Sequence, residues 1–318
     1  MSKLISFSPW FGGFNNVRMS YELAGCISYL TNRTLVLPPK IYVCFLSKWQ
    51  EKDTYFDIWD IFDKKAFTKQ FNCIDYKDTP LAELENDTQY FEGIDKISKL
   101  VYPKGKIKFK QYGAMKDFTP PIPIEFSDNH IHYPRVLFGS PFEYLTMTDE
   151  QSVILKDKLK NGLKIKRVHK NKANKYISKL GYYNAVHIRQ TDFLDVNKQS
   201  SQTQVDTLIN DIKWLINADK PLYIATDENN RDKFKSLIDA GYEIHFVDTK
   251  LKDYEQLVQD ILMCTNADCF LGSKNSTYSN YIHILRGYDG KQDFSKYYTN
   301  GEYGDNRGWF RTDTRYWK

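Results

Sequence analysis

No run of about 18 apolar residues, the length a helix needs to cross a bilayer, occurs anywhere in the chain, so no membrane span is expected. The 5 cysteines are an odd number without recognisable spacing, and none forms a Cys-x-x-Cys pair. Cys264 and Cys269 are the nearest two, and free thiols in a reducing cytosol are the expectation that fits this pattern best. The 6 histidines are scattered, which argues against a zinc site. No Asp-x-Asp triplet stands at a strand end, so no carboxylate clamp for a cation is expected. There is no internal repeat and no low-complexity tract. Charge of one sign is also scarce: the net +5 is mild for 318 residues. A local run from Lys156 to Lys175 lacks interleaved aromatics that would stack bases, and it reads as a solvated helical face. Nucleic acid is therefore not an expected partner. The first strand pattern begins almost at Met1, which leaves no room for a secretory signal and predicts a cytoplasmic protein.

Aromatics, by contrast, are abundant, with 23 Tyr and 20 Phe. Such an excess suits a sugar-binding cleft and equally suits a plain compositional bias. A length of 318 residues is comfortable for two domains. The expected division is 1–165 for a Rossmann-like domain with irregular insertions and 166–290 for a second Rossmann-like domain. An aromatic tail, 291–318, is expected to pack back on the first domain.

The opening segment carries most of the information. Leu4, Ile5 and Phe7 mark a strand, Gly12 and Gly13 a turn, and Met19, Leu23, Ile27 and Leu30 the apolar stripe of a helix from about Asn16 to Thr31. Thr34 to Leu37 is a second strand, stopped by Pro38-Pro39. Strand, glycine turn, helix and strand open a Rossmann-like half, whose helix start offers unpaired N–H groups to an anion. From Ile41 to about Pro141 the pattern is poor. A helical stretch then runs from Thr148 to Leu180, broken near Gly162 and opened by a Thr148/Gln151 capping box. The second half alternates clearly. Strands are expected at Tyr183–Ile188, Pro221–Ala225, Tyr242–Val247 and Cys269–Leu271, with helices between them and a last helix after Ser276-Thr277. The class is α/β with parallel sheets.

Open parallel sheets bind ligands beyond the carboxyl ends of their strands. His187 and Arg189 share a face at one such exit, Asp227 ends the next strand, and Ser276 and Thr277 begin a helix after another. A guanidinium stays charged and offers paired donors to phosphate oxygens, so Arg189 suits a leaving diphosphate where no metal clamp is expected. Each residue also has a structural reading. Arg189 suits an ion pair with Asp192, His187 a packed strand position, and Asp260 a solvated helix charge. Arg18 and Glu22 suit an i,i+4 helix pair, and Asn15 and Asn16 a turn with an N-cap.

Taken together, these segments resemble a known family. Gly12-Gly13-Phe14-Asn15-Asn16-x-Arg18-Met19, with Asn32-Arg33-Thr34-Leu35-Val36-Leu37-Pro38-Pro39, is similar to the amino-terminal signature of the GDP-fucose protein O-fucosyltransferases. His187-x-Arg189-x-x-Asp192 resembles the histidine-x-arginine motif shared by the O-, α1,2- and α1,6-fucosyltransferases. Ile224-Ala225-Thr226-Asp227 and Phe270-Leu271-Gly272-Ser273-x-x-Ser276-Thr277 resemble later motifs of that superfamily, while Tyr42 to Leu180 matches none. The resemblance implies a GT-B fold of two Rossmann-like domains facing a cleft, 1–165 on the acceptor side and 166–290 binding the nucleotide sugar. It implies metal-independent, inverting transfer of fucose from GDP-fucose to a hydroxyl of a glycan or protein, with no cofactor. Carried over by position, Arg189 holds the diphosphate, Ser276 and Thr277 bind phosphate from a helix start, and Asn15 and Asn16 face the fucose and acceptor; Arg189, Asn16 and Asp192 are the catalytic candidates. Gly12, Gly13, Phe14, Asn15, His187, Asp227, Asp260, Asn275, Ser276 and Thr277 are the nucleotide-sugar contacts, with His187 and Asp260 toward the guanosine.

Two departures matter. Gly12 stands where some protein O-fucosyltransferases have a glutamate base, and Gln190 stands where the α1,6 enzymes have a second arginine. The α1,6 linkage thus loses support, and the base stays open among Asp192, Asp195 and Glu22. Another nucleotide-sugar donor, or a non-catalytic nucleotide- or glycan-binding module, is the alternative reading. A bacterial or viral-type enzyme acting on glycan precursors fits the expected cytoplasmic location.

Overall fold

The structure is a computed structural model of the chain. It describes residues 3–9, 13–38, 41–42, 55–79, 124, 129–134, 137, 139–189, 205–228, 230–247, 253–273, 276–292, 295–298 and 316. The chain divides into two compact units, Met1–Lys166 and Arg167–Lys318.

In the first unit, β1 (Leu4–Ser8) leads to α1 (Phe14–Leu30) and β2 (Thr34–Leu37). A short antiparallel pair follows, β3 (Ile41–Tyr42) and β4 (Tyr55–Phe56). Then come α2 (Ile58–Ile61), α3 (Lys64–Gln70), β5 (Cys73–Asp75), β6 (His130–Pro134), α4 (Pro141–Tyr144) and α5 (Asp149–Gly162). The four-stranded sheet has the order β5-β2-β1-β6, all parallel. Helix α1 is buried on nearly every side, which explains why its sequence mixes Leu23 and Ile27 with the small residues Ser20, Ala24 and Gly25. Gly25 admits the Phe71 ring, which lies 3.2 Å from where a Cβ would stand. The helix closes on Thr31, and Asn32 takes the left-handed conformation (φ 50°) that asparagine tolerates, turning the chain into β2. The expected break near Gly162 is present: α5 opens with the Thr148/Gln151 capping box and stops at Gly162, after which Ile165 bridges to Phe62.

The second unit contains α6 (Arg167–Leu180), β7 (Asn184–Ile188), α7 (Val205–Leu215), β8 (Leu222–Thr226) and a 3-10 turn (Arg231–Phe234). It continues with α8 (Lys235–Asp239), β9 (Ile244–His245), α9 (Asp253–Asn266), β10 (Phe270–Ser273), α10 (Thr277–Tyr288) and β11 (Ser295–Tyr298). The sheet order β11-β10-β7-β8-β9, all parallel, is the doubly wound Rossmann order. Strand alternation sorts its two faces. Val186, Ile188, Leu222, Ile224 and Leu271 join Leu208, Ile209, Ile212, Phe234 and Leu237 of α7 and the α8 region in one apolar cluster. The opposite face carries Tyr183, Tyr223 and His187, whose polar ends bond to α9 and α10.

Two expectations need correction. The strand expected over Tyr242–Val247 is only Ile244–His245 at the sheet edge, because the Tyr242 hydroxyl donates to Ile216 O at 2.6 Å and draws that residue into the core. Where it is described, the aromatic tail expected to cover the first unit joins the second. Ser295–Tyr298 extends the sheet beside β10, and the Tyr316 ring meets Tyr288 of α10.

Candidate active site

The strand order of the second unit reverses between β7 and β10, and their carboxyl ends flank the position where doubly wound sheets take ligands. His187 and Arg189 leave β7 there, and Ser276 follows β10 as the N-cap of α10, its Oγ accepting from Ser279 N. Arg189 is partly exposed (31%), and Asp227, just past β8, holds its Nε edge with Oδ2 at 3.4 Å. Asp227 thus faces the guanidinium as a partner. Asp192, the ion-pair partner expected from sequence, lies outside the described residues, as do Gly12, Asn275, Gln190 and Asp195.

His187 is buried, and its Nδ1 is hydrogen-bonded to Ser279 Oγ at 2.7 Å. Burial, then the charge of Arg189, lowers its pKa to about 3, so the ring is neutral and cannot present a positive charge to a phosphate. Its ring lies 4.7 Å from that of Tyr278. Ser279 Oγ also accepts from Ser273 N at 2.9 Å. This one hydroxyl therefore ties β7, the end of β10 and the first turn of α10 together. The start of α10 brings backbone N–H groups and the positive end of the helix dipole to the rim.

Asp260, expected as a nucleotide contact or a solvated charge, is not solvated. It is 7% exposed on α9, and its Oδ1 accepts from the Tyr223 hydroxyl at 2.5 Å. Burial pushes its pKa up to about 7, against the pull of the Tyr223 hydrogen bond and the nearby Arg231 charge. The Arg231 guanidinium lies 4.0 Å over the Phe246 ring, a cation–π pair beside this acid. Sequence reasoning missed Tyr223, Tyr278 and Ser279. Alternation was the available signal for Tyr223, since register pairs Ala185 with Tyr223 and His187 with Ala225 on one face.

In the first unit, Gly13 is the N-cap of α1, so Asn15 and Asn16 lie inside the first turn and neither is the cap. Phe14 is in the core, its ring stacked on Phe62 with centroids 5.7 Å apart, which leaves only its backbone for a ligand. Asn15 is turned inward, its Oδ1 accepting from Arg18 Nε at 2.5 Å, whereas Asn16 is half-buried. Arg18 is fully buried and ion-paired with Glu22, which removes Glu22 as a ready base. Between β1 and β6, a polar cluster links Ser6 to His130 (2.8 Å) and His132 (3.1 Å), and Ser8 to His132 (3.3 Å). Burial holds both histidines neutral, His130 at about 4 and His132 well below its usual value. Among the described residues, no group of three or more His, Cys, Asp or Glu stands close enough to hold a metal ion, and no helix is long and apolar enough to cross a membrane.

The sequence model of the GDP-fucose protein O-fucosyltransferases matches residues 4–289. No curated protein sequence matches the chain. Among solved structures, POFUT1 in complex with GDP-fucose is similar with a TM-score of 0.57 at 15% identity, over 93% of this chain and 98% of that one. The NodZ α1,6-fucosyltransferase soaked with GDP-fucose gives 0.52 at 12% identity, over 90% and 93%. NodZ from Bradyrhizobium gives 0.51 at 12%, over 90% and 93%. The paired α/β units are thus those of a GT-B glycosyltransferase. Within that class the chain belongs to the GDP-fucose protein O-fucosyltransferase family, and it is a GDP-fucose-dependent fucosyltransferase.

Proposed function

We propose that the protein transfers fucose from GDP-fucose to a hydroxyl of a glycan or protein acceptor, with inversion and without a metal. The observation that carries this reading is the rim at the β7/β10 switch point, where a partly exposed arginine stands beside a helix start. Breaking the glycosidic bond loads negative charge onto the departing diphosphate. In this reading Arg189 and the first turn of α10, with Ser276 and Thr277, meet that charge as it grows, and so favour the transition state over the bound donor. Asp227 holds the guanidinium in place. Asp260 takes the guanine, and His187 acts through Ser279 by fixing the helix start. Asn16 of the first unit serves the acceptor side, and Asp192 of the second is the base proposed for the acceptor proton. The cytoplasm is the proposed location, and the division near residue 165 is the proposed boundary between acceptor-side and donor-side units. POFUT1 and NodZ, whose structures contain or were soaked with GDP-fucose, support the donor assignment.

The test is turnover of labelled GDP-fucose over a panel of glycan and peptide acceptors, with and without EDTA, together with thermal stabilisation by GDP, UDP and ADP. Transfer unaffected by EDTA, with stabilisation by GDP alone, is expected. Activity lost in EDTA and restored by manganese contradicts the metal-free mechanism, and equal stabilisation by UDP contradicts the donor.

A further inference from the structure

We infer that Tyr223 is a positioning residue for base recognition: its hydroxyl aims and holds the Asp260 carboxylate that takes the guanine edge of GDP. This rests on the assignment of Asp260 to the base.

Tyr223 is 2% exposed, the second residue of β8, on the face turned to α9. Its hydroxyl donates to Asp260 Oδ1 at 2.5 Å, so one lobe of that oxygen is taken. The other acceptor sites of the carboxylate are fixed in direction by the bond. Guanine presents its ring N–H and its exocyclic amine side by side, two donors that match two carboxylate oxygens. Adenine presents an acceptor at the equivalent ring nitrogen. The match to guanine exists only while the carboxylate is ionised, because a protonated acid replaces one acceptor with a donor.

Burial works against ionisation at this position. The groups that face Asp260 are Tyr223 from β8, Arg231 from the 3-10 turn after it, Tyr278 from α10 and Cys264 from its own helix. The Tyr223 bond and the Arg231 charge are what favour the ionised form against desolvation, leaving the pKa at about 7. Removing the hydroxyl removes one of the two. His187, at about 3, stays neutral throughout the relevant range.

The experiment measures the affinities of GDP and ADP between pH 6 and pH 8.5 and takes their ratio, which cancels the titration of the phosphates. In the wild type the ratio is expected to rise roughly tenfold from pH 6 to pH 8, following the ionised fraction of a group that titrates near 7. Tyr223→Phe is expected to shift this midpoint upward and to lower the ratio at pH 7 about tenfold, the size of a lost hydrogen bond to a carboxylate. Asp260→Asn keeps an oxygen for the hydroxyl but loses the charge, and its ratio is expected to be low and flat. A Tyr223→Phe variant with the wild-type ratio and midpoint overturns the inference while leaving Asp260 on the base. A wild-type ratio in Asp260→Asn overturns the base contact itself. Should Tyr223→Phe fail to fold, a wild-type ratio that stays flat across the range still overturns the proposal.

Discussion

Replacing Gly272 with alanine sets a methyl carbon 2.9 Å from Ser279 Cβ, 3.0 Å from its Oγ and 3.1 Å from His283 Nε2. None of these is the loose end of a long side chain. Ser279 sits in the first turn of α10, and its Oγ is already bonded to His187 Nδ1 at 2.7 Å and to Ser273 N at 2.9 Å. The methyl group is accommodated only if α10 lifts from β10, which stretches both bonds. Overpacking of a filled core costs about 1–3 kcal/mol, and a strained buried hydrogen bond adds about 1 kcal/mol. The sum, about 2–4 kcal/mol, is a large part of the roughly 5–15 kcal/mol that stabilises a typical domain. Melting is then expected roughly 5–15 °C lower. The same lift turns the α10 start away from the rim, and GDP affinity is expected to fall about tenfold, within the range of a helix-terminus charge interaction. Differential scanning calorimetry and titration calorimetry with GDP read the two effects. A Gly272→Ala protein that melts and binds GDP like the wild type refutes the close packing of α10 on β10 as the device that sets the rim.

Arg286→Met is expected to cost at least about 3 kcal/mol in urea unfolding, because unsatisfied buried carbonyls each carry a desolvation penalty. The buried guanidinium donates to Cys264 O, Thr265 O, Ala267 O and Asp268 O at 2.6–3.2 Å, and methionine donates to none. Unchanged unfolding contradicts its role as the cap of α9. Acid is expected to weaken the fold. His187 and His283 are lowered to about 3, His130 to about 4, and His132 well below 6.5. Below pH 6.5 the unfolded chain takes up these protons and the folded chain does not, so stability falls as pH drops from 6.5 toward 4. Asp260, protonated when folded up to about 7 and at 3.8 when unfolded, opposes this with a single proton. The urea midpoint at pH 4.5 is therefore expected below that at pH 7, and an equal or higher midpoint contradicts the buried neutral histidines.

The second sheet was readable from sequence because each of its inner strands is a short apolar run followed by turn chemistry and an amphipathic helix. Ser276 could be placed at a helix start for the same local reason. What sequence did not reveal depends on partners far apart in the chain. Asp260 looked like a surface charge between Leu257 and Ile261, since nothing local indicates that Tyr223, 37 residues earlier, is its donor. Asn15 looked available for a sugar, yet the same turn of helix supplies Arg18 to hold it inward. The six histidines looked scattered, although His130-Ile131-His132 alternates along one strand and sets two imidazoles on the Ser6/Ser8 side of β1. The strand within Tyr242–Val247 is shorter than its apolar alternation predicts, because that alternation serves a core contact at Tyr242 as well as the sheet.

The central claim is that one guanidinium at the exit of β7 neutralises the departing diphosphate, and the rate of fucosyl transfer by Arg189→Ala tests it most directly. Arg189 is partly exposed, so the variant is expected to fold normally, and a transfer rate lower by roughly 100-fold or more is the loss of a transition-state donor. A folded Arg189→Ala enzyme that transfers fucose at near the wild-type rate contradicts the account.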